Sequence, residues 1–271
     1  MGELKWIKVD VASEITSVGF KVRNMLQVLK ASRTGDSTVP DSIFQIFPKN
    51  ESRLFVECEF DTVSRWAFER FAGAYELRDA HEATSFYRQI STAPLTASLW
   101  GHVFEAKVLN CINTRGCDFQ IRGLSSPGMR TWTCGGPILH SNFLRESDFV
   151  YEITKAIREN DSLHLIPSAP NFTAVSSILY ARHEVLTLIQ TTVSEKHPIC
   201  VSGLDSLRNW LKLRTPLAHL CPSKMRPWRL IFIVPPGQAS TFKLQRLEGD
   251  DEGKWVGWVH QYVLGLDVIE N

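Results

Sequence analysis

The chain has 271 residues, of which 44% are apolar and 22% charged, and its 30 basic and 29 acidic side chains leave a formal charge of +1. The apolar share excludes a mainly disordered chain, and the length suits one large domain or two small ones. No apolar run approaches the ~20 residues of a membrane-spanning helix, and Met1 to Val9 lack the apolar core of a signal peptide. A near-neutral charge argues against coating of nucleic acid by the whole surface, but it allows a local basic cleft.

The cysteines indicate free thiols rather than a metal site or a disulfide framework. They are Cys58, Cys111, Cys117, Cys134, Cys200 and Cys221. No two of them form a C-x-x-C pair and no histidine pair has zinc-finger spacing, so a structural zinc site is not expected. A chain of this length needs no disulfides for stability, which favours mostly buried thiols in a reducing compartment.

Residues 1–93 are predicted to form an N-terminal extension of helices and strands. A short edge strand is indicated over residues 6–9, and a helix over 13–29 places its apolar residues on one face. Alternation predicts a strand over residues 50–60, and a second helix follows over 64–75.

Residues 94–271 are predicted to form the main domain. Pro94 opens the most apolar helix of the chain, Glu105 is one of very few charges on it, and Gly116 ends it. The signals between residues 125 and 161 are short and mixed. Strands are predicted over 117–124, 163–166, 172–180, 185–193 and 229–234, and further helices over 202–213 and 255–266. This order indicates an α/β fold with a mixed central sheet.

Several stretches of the main domain occur in a characteristic order. They read WGHVFEAKVLNCI, PSAPNFTAVSSILY, LTLIQTTVSEKHPICVSGL, RLIFIVPP and HQYVLGLDV. From about Leu95 to Val268, this succession resembles the C-terminal domain of Crinkler-type effectors and of the related retrotransposon hot-spot proteins. The resemblance implies a restriction-endonuclease-like core of the PD-(D/E)xK superfamily, built from a helix, a mixed central sheet, a helix and a strand. Here a helical N-terminal segment would precede that core.

The resemblance also implies a set of catalytic positions. In such nucleases a helix carboxylate and two strand carboxylates hold Mg²⁺, which activates a water, and a lysine assists. Residue by residue, Glu105 matches the helix glutamate, Ser176 the aspartate, Gln190 the glutamate and Thr192 the lysine. Only one of the four positions keeps its charge, although Gln190 can still offer a carbonyl oxygen to a metal. Glu105 and Gln190 are therefore the candidate metal ligands, and Mg²⁺ is expected to bind weakly or not at all.

The acidic residues of the main domain also have structural interpretations. Glu105 is either a metal ligand or an ordinary helix glutamate that faces solvent or pairs with Lys107 or Arg122. Glu195 is expected to be a solvated strand end, and Asp205 to meet the positive end of a helix dipole.

A basic run follows the predicted site. Its members are Arg208, Lys212, Arg214, Lys224 and Arg226. They are candidates for nucleic-acid binding, and Trp210 and Trp228 lie between them, as is typical of side chains that stack on bases. The competing interpretation places both tryptophans in the core and leaves the cations as a solvated face.

The sequence thus predicts a degenerate nuclease-fold domain that binds nucleic acid or a partner protein without efficient cleavage. One alternative is an active metal-dependent DNA or RNA phosphodiesterase with an altered site, and another is a pure protein-interaction scaffold. The sequence has no phosphate-binding glycine loop, so an NTPase domain would have to be supplied by a separate chain. No membrane partner is expected, and the resemblance implies an intracellular location, including the nucleus of a host cell for a secreted effector.

Overall fold

A computed structural model describes ten stretches of the chain. They are residues 44–48, 58–62, 80–92, 97–114, 117–125, 128–134, 138–168, 175–181, 185–250 and 253–269. Two compact units are present, essentially Met1–Ala106 and Lys107–Ile269, and each is described by itself. The predicted strand over 6–9 and the predicted helices over 13–29 and 64–75 lie outside the described residues.

The described part of the first unit contains a strand pair and two helices. Strands β1 (Phe44–Pro48) and β2 (Cys58–Thr62) are antiparallel. Helix α1 spans Ala80–Thr92, and helix α2 spans Ala97–Thr114, so that α2 continues into the second unit. Helix α2 confirms the apolar helix predicted after Pro94. Of the strand predicted over 50–60, the structure describes only the part that belongs to β2.

The second unit is built on an eight-stranded mixed sheet. Its strands are β3 (Cys117–Gly123), β4 (Met129–Cys134), β5 (Leu139–Phe143), β6 (Leu163–Pro167), β7 (Ser177–Tyr180), β8 (Thr187–Thr191), β10 (Trp228–Val234) and β12 (Val259–Gly265). Their spatial order is β4-β3-β12-β10-β8-β7-β6-β5. Short strands β9 (Ile199–Cys200) and β11 (Leu247–Glu248) pair separately. With helices α3 (Glu146–Glu159) and α4 (Val201–Lys212), the unit confirms the predicted α/β class with a mixed sheet.

Strand directions in this sheet divide it into antiparallel and parallel parts. Strands β6, β7 and β8 follow one another as an antiparallel meander. Helix α4 then returns the chain so that β10 lies parallel to β8, and β12 lies parallel to β10. A similar crossover through α3 makes β5 parallel to β6, while β3 and β4 close the other side as antiparallel strands.

One face of the sheet holds the main core. Helix α3 contributes Phe149 and Ile153, helix α4 contributes Leu204 and Leu207, and all four belong to one buried cluster with Phe232 of β10. Burial of a side chain of this size stabilises the fold by about 1.5–3 kcal/mol. The apolar run over residues 230–234 of β10 is buried throughout, which fits its central place in the sheet, whereas Arg229 before it is partly exposed.

The sequence prediction of a C-terminal helix over 255–266 is wrong, because this segment forms β12. The spacing of its large apolar side chains resembles a helical period, but β12 lies inside the sheet between β10 and β3 and is buried on both faces. Two glycines precede it in backbone conformations with positive φ, Gly253 at 65° and Gly257 at 84°, which interrupt a helix. Tertiary pairing thus decides the conformation of this segment.

Candidate functional site

The structure places three of the predicted catalytic positions next to one another in the second unit. Ser176 immediately precedes β7, Gln190 lies in β8, and Thr192 follows the end of β8. Ser177 pairs with Ile189, so Ser176 lies beside the end of β8, where its N–H donates to the Ile189 carbonyl oxygen over 2.9 Å. Because strand side chains alternate, Gln190 and Thr192 point to the same face of the sheet.

The polar groups of this cluster are engaged in local hydrogen bonds. The Ser176 hydroxyl accepts from the Thr191 N–H over 3.2 Å and lies 2.9 Å from the Thr191 hydroxyl. The Gln190 amide nitrogen donates to the Thr191 carbonyl oxygen over 3.0 Å. The Thr192 hydroxyl accepts from the Ser194 N–H over 3.0 Å, and both Gln190 and Thr192 are only 8% exposed. These side chains stabilise the end of β8 and the turn after it, and none of them carries charge.

Glu105 lies in the other unit. It is half-buried on α2, within the part of that helix that belongs to the first unit. The two units are described separately, so its role as a metal ligand beside Gln190 stays a prediction. Within the described stretches, no group of three histidine, cysteine or acidic side chains is arranged to hold a metal ion. The sequence reasoning missed Asp267, which follows β12 at the same end of the sheet and whose carboxylate accepts the Ile269 N–H over 3.0 Å.

Glutamine side chains that are buried or half-buried hold the loops near this cluster. Gln238, in the loop after β10, donates to the Val193 carbonyl oxygen over 3.0 Å. Gln261 of β12 exchanges two hydrogen bonds with the backbone of Gln245, each 2.9 Å long. The side chain of Gln245 in turn accepts from the His197 N–H over 2.7 Å. The turn after β8 is thereby tied to the sheet, which agrees with a structural role for the His197 turn.

A cavity of about 820 Å³ lies beside this loop region. Its charged lining residues are Glu195, Lys196, Lys243, Arg246 and Glu248. Glu195 is exposed, as the solvated strand end predicted for it requires, and Lys196 beside it is exposed as well. With three cations and two carboxylates, this wall carries little net charge.

The basic run lies at the other end of the sheet. Gln190 pairs with Phe232, and β10 begins four residues earlier at Trp228. At ~3.3 Å per residue, the start of β10 is roughly 13 Å from the Gln190 level, and Arg226 lies beyond it. The crossover helix α4 also ends at this end of the sheet, with Lys212 in its last turn. Sequence proximity to Gln190 therefore does not bring these cations to it.

The members of the basic run differ in exposure. Lys212, Arg214 and Lys224 are exposed. The Arg208 guanidinium lies 4.9 Å from the Trp258 ring centre, and Arg226 donates to the His219 carbonyl oxygen over 3.2 Å. Three of these cations are thus exposed to solvent, and the other two also make contacts within the protein.

Asp205 and the tryptophans have structural roles in this region. The Asp205 carboxylate lies 2.5 Å from the Lys254 ammonium nitrogen, which gives it an ion-pair partner besides the helix dipole expected from the sequence. Trp228 is 1% exposed, and its ring nitrogen donates to the Leu220 carbonyl oxygen over 2.7 Å. Trp210 is half-buried and packs against the core, with its ring centre 5.6 Å from that of Phe149. For Trp228 the interpretation that it stacks on bases is therefore wrong and the core interpretation is confirmed, whereas for Trp210 stacking stays a prediction.

Comparisons of the chain with protein-family models, with curated proteins and with solved structures found no match. None of the helices in the described part of the chain combines the length and apolar character needed to cross a membrane.

Proposed function

We propose that this chain is a nuclease-fold domain of the Crinkler type with a degenerate centre, which binds nucleic acid without cleaving it efficiently. The observation that carries the proposal is the basic surface at the amino ends of β8 and β10. From Ser206 to Arg229 the sequence has six lysines and arginines and no acidic residue. Cations clustered in this way attract the phosphate backbone of DNA or RNA and release its counterions.

The element order of the second unit supports the fold part of the proposal. Helix α2, which carries Glu105, precedes the antiparallel strands β6, β7 and β8 in the chain, with β3, β4, β5 and α3 between them, and helix α4 leads to β10 parallel to β8. The three antiparallel strands, the helix and the parallel strand follow the order expected of a restriction-endonuclease-like core.

The chemistry of the cluster supports binding rather than cleavage. Mg²⁺ prefers oxygen ligands with negative charge, and at Ser176, Gln190 and Thr192 only neutral groups are offered. None of these groups is a useful general base near neutral pH. In addition, phosphates held by the exposed cations lie at the opposite end of the sheet from Gln190. Weak Mg²⁺ binding stays an implication of the family resemblance, and nucleic-acid binding by the basic surface does not depend on it.

The first prediction concerns salt-dependent binding. Substituting Lys212, Arg214 and Lys224 together by glutamine should weaken binding to a fluorescent oligonucleotide and reduce the slope of log K against log salt by about 2 to 3, because each phosphate contact contributes ~0.7 to 0.9. Fluorescence anisotropy over a salt series, with single-stranded DNA, single-stranded RNA and duplex DNA, measures both quantities.

A matched control variant removes an equal number of positive charges, three, at the other end of the sheet. Lys196, Lys243 and Arg246 changed together to glutamine should leave most of the salt slope intact. An equal loss in both triple variants would mean that net charge alone governs binding, and it would refute the assigned surface. Absence of binding by the wild-type chain at low salt would overturn the proposed function and favour a protein-interaction scaffold.

The second prediction concerns catalysis. With Mg²⁺ or Mn²⁺, the purified wild-type chain should convert supercoiled plasmid to the nicked form no faster than metal and buffer alone. The reason is that the two carboxylates and the lysine of an active centre are replaced at Ser176, Gln190 and Thr192. Glu105→Ala should leave nucleic-acid binding unchanged. The measurement is an agarose-gel time course with matched protein preparations. Nicking by the wild type that Glu105→Ala abolishes would show an active phosphodiesterase and refute the degenerate centre.

A further inference from the structure

Three cysteines converge at the β3–β4 hairpin of the second unit. Cys117 opens β3 and Cys134 ends β4, and the two residues are directly opposite in the strand register. The Cys134 sulfur lies 3.9 Å from the Ile112 carbonyl oxygen, which belongs to the final turn of α2. Cys111 precedes Ile112 in that turn, and none of these three cysteines is in a disulfide.

The register brings two of these thiols within bonding reach. Residues directly opposite in antiparallel strands have Cα atoms about 4.5–5.5 Å apart and side chains on the same face. A disulfide requires Cα atoms about 4.4–6.8 Å apart, so this pair needs little backbone movement to be joined. The neighbouring pair Phe119 and Trp132 confirms the shared face, since the two rings stack at 5.5 Å.

The electrostatic environment of Cys134 reflects the nearness of the other two thiols. Burial raises the pKa of the Cys134 thiol to about 11, and the negative charge of Cys111 and Cys117 in their thiolate forms adds to the effect. Cys134 is 1% exposed, whereas Cys117 is only half-buried. An oxidant from solvent therefore reaches Cys117 before Cys134.

We propose that Cys117 and Cys134 form a reversible disulfide when the chain meets a peroxide. The Cys117 thiolate sulfur attacks one oxygen of the peroxide bond, which breaks, and hydroxide leaves and is protonated to water. The sulfenic acid formed on Cys117 is then attacked by the Cys134 sulfur, which loses its proton as a second water departs. Two thiols are oxidised to one disulfide, and one peroxide is reduced to two waters. A dithiol reverses the reaction by exchange.

This inference is independent of the proposed function, since it concerns the hairpin and not the basic surface. The disulfide would covalently join β4, which lies at one edge of the eight-stranded sheet, to β3. The sequence favours free thiols in a reducing compartment, and the register adds that two of them are preorganised for oxidation. Cys117 and Cys134 are thus a modification site.

The test is peptide mapping of the intact chain after oxidation. The chain is reduced, treated with a small excess of hydrogen peroxide, alkylated and digested without reductant. Mass spectrometry should then find the Cys117 and Cys134 peptides linked, with Cys200 and Cys221 alkylated. Dithiothreitol should restore both alkylated peptides.

Two variants make the assignment specific. Cys117→Ser should abolish the linked peptide and leave Cys134 alkylated, whereas the matched control Cys200→Ser should retain the link. If Cys117→Ser does not fold, the wild-type chain oxidised in urea provides the comparison, because unfolding should replace this link by mixed pairings. A native link that involves Cys111 instead, or oxidation of Cys117 and Cys134 without a link, would overturn the proposal.

Discussion

Replacement of Trp228 by alanine is expected to lower the free energy of unfolding of the second unit by about 3–5 kcal/mol. The indole is fully enclosed at the start of β10, and its ring centre lies 5.6 Å from that of Trp255. Its ring nitrogen also donates to the Leu220 carbonyl oxygen over 2.7 Å, which fastens the loop before β10 to the sheet. Alanine removes the packing and the donor together, and urea denaturation followed by circular dichroism measures the loss.

Trp228→Phe separates packing from hydrogen bonding. Phenylalanine keeps most of the apolar ring but leaves the Leu220 carbonyl oxygen without its donor, for a loss of about 1–3 kcal/mol. This variant should bind nucleic acid as tightly as the wild type wherever both are folded, because a 1% exposed ring meets no base. A large loss of binding with unchanged stability would restore the stacking role and contradict the core assignment.

The sequence predicts the parts of the fold that depend on local pattern. The unbroken apolar run of β10, the apolar helix α2 and the amphipathic helix α4 are all found within a few residues of their predicted bounds. Helix α3 was not predicted, although its signals are in the sequence. Asp148 in its first turn accepts the Arg145 N–H over 3.1 Å, and Asn160 ends it in a left-handed conformation with φ of 64°.

Features that depend on pairing between distant segments could not be predicted. A periodicity argument cannot choose between helix and strand for β12, because its neighbours β10 and β3 are set by the topology. The basic run follows Gln190 in sequence, yet the β8–α4–β10 crossover carries it to the opposite end of the strands. Likewise, only the strand register reveals that Cys117 faces Cys134.

The candidate centre likewise combines features that the sequence predicts with features that depend on the pairing of distant segments. The motif order predicts which positions are equivalent, and the structure places Ser176 beside the end of β8. The motif order does not predict that the hydroxyls of Ser176 and Thr192 accept hydrogen bonds from the backbone around the end of β8. Because those contacts stabilise the end of β8 and the turn after it, Ser176 and Thr192 have a structural role in the second unit.

Acidification is expected to lower the free energy of unfolding through His164, by about 3 kcal/mol between pH 6.5 and pH 4. His164 of β6 is completely buried, and burial lowers the pKa of its imidazole from 6.5 to about 4, with a smaller contribution from the charge of His140. Its Nδ1 lies 2.5 Å from the Asn113 side-chain oxygen and donates to it. Its Nε2 is buried without a hydrogen-bond partner among the described residues, so a proton there would add an uncompensated charge.

The direction of this change in the free energy of unfolding follows from comparing the protonation of His164 in the folded and unfolded chains. Below pH 6.5 the unfolded imidazole takes up a proton, while the folded one stays neutral until about pH 4. The stability contributed by neutral His164 is therefore complete above pH 6.5 and lost as the pH falls toward 4, at ~1.4 kcal/mol per pH unit. Below pH 4 both states are protonated and this contribution no longer changes.

The comparison that isolates His164 is the difference between wild type and His164→Gln in urea unfolding at pH values from 7.5 to 4. Glutamine cannot titrate, so the stability difference should shift by about 3 kcal/mol in favour of the variant as the pH falls. His260→Gln, at the exposed position of β12, should retain the wild-type slope as the matched control. If the glutamine variant does not fold, an NMR titration of the His164 ring proton gives the pKa directly. A midpoint near 6.5 would refute the prediction, because it would mean that the imidazole takes up its proton as easily in the folded chain as in water.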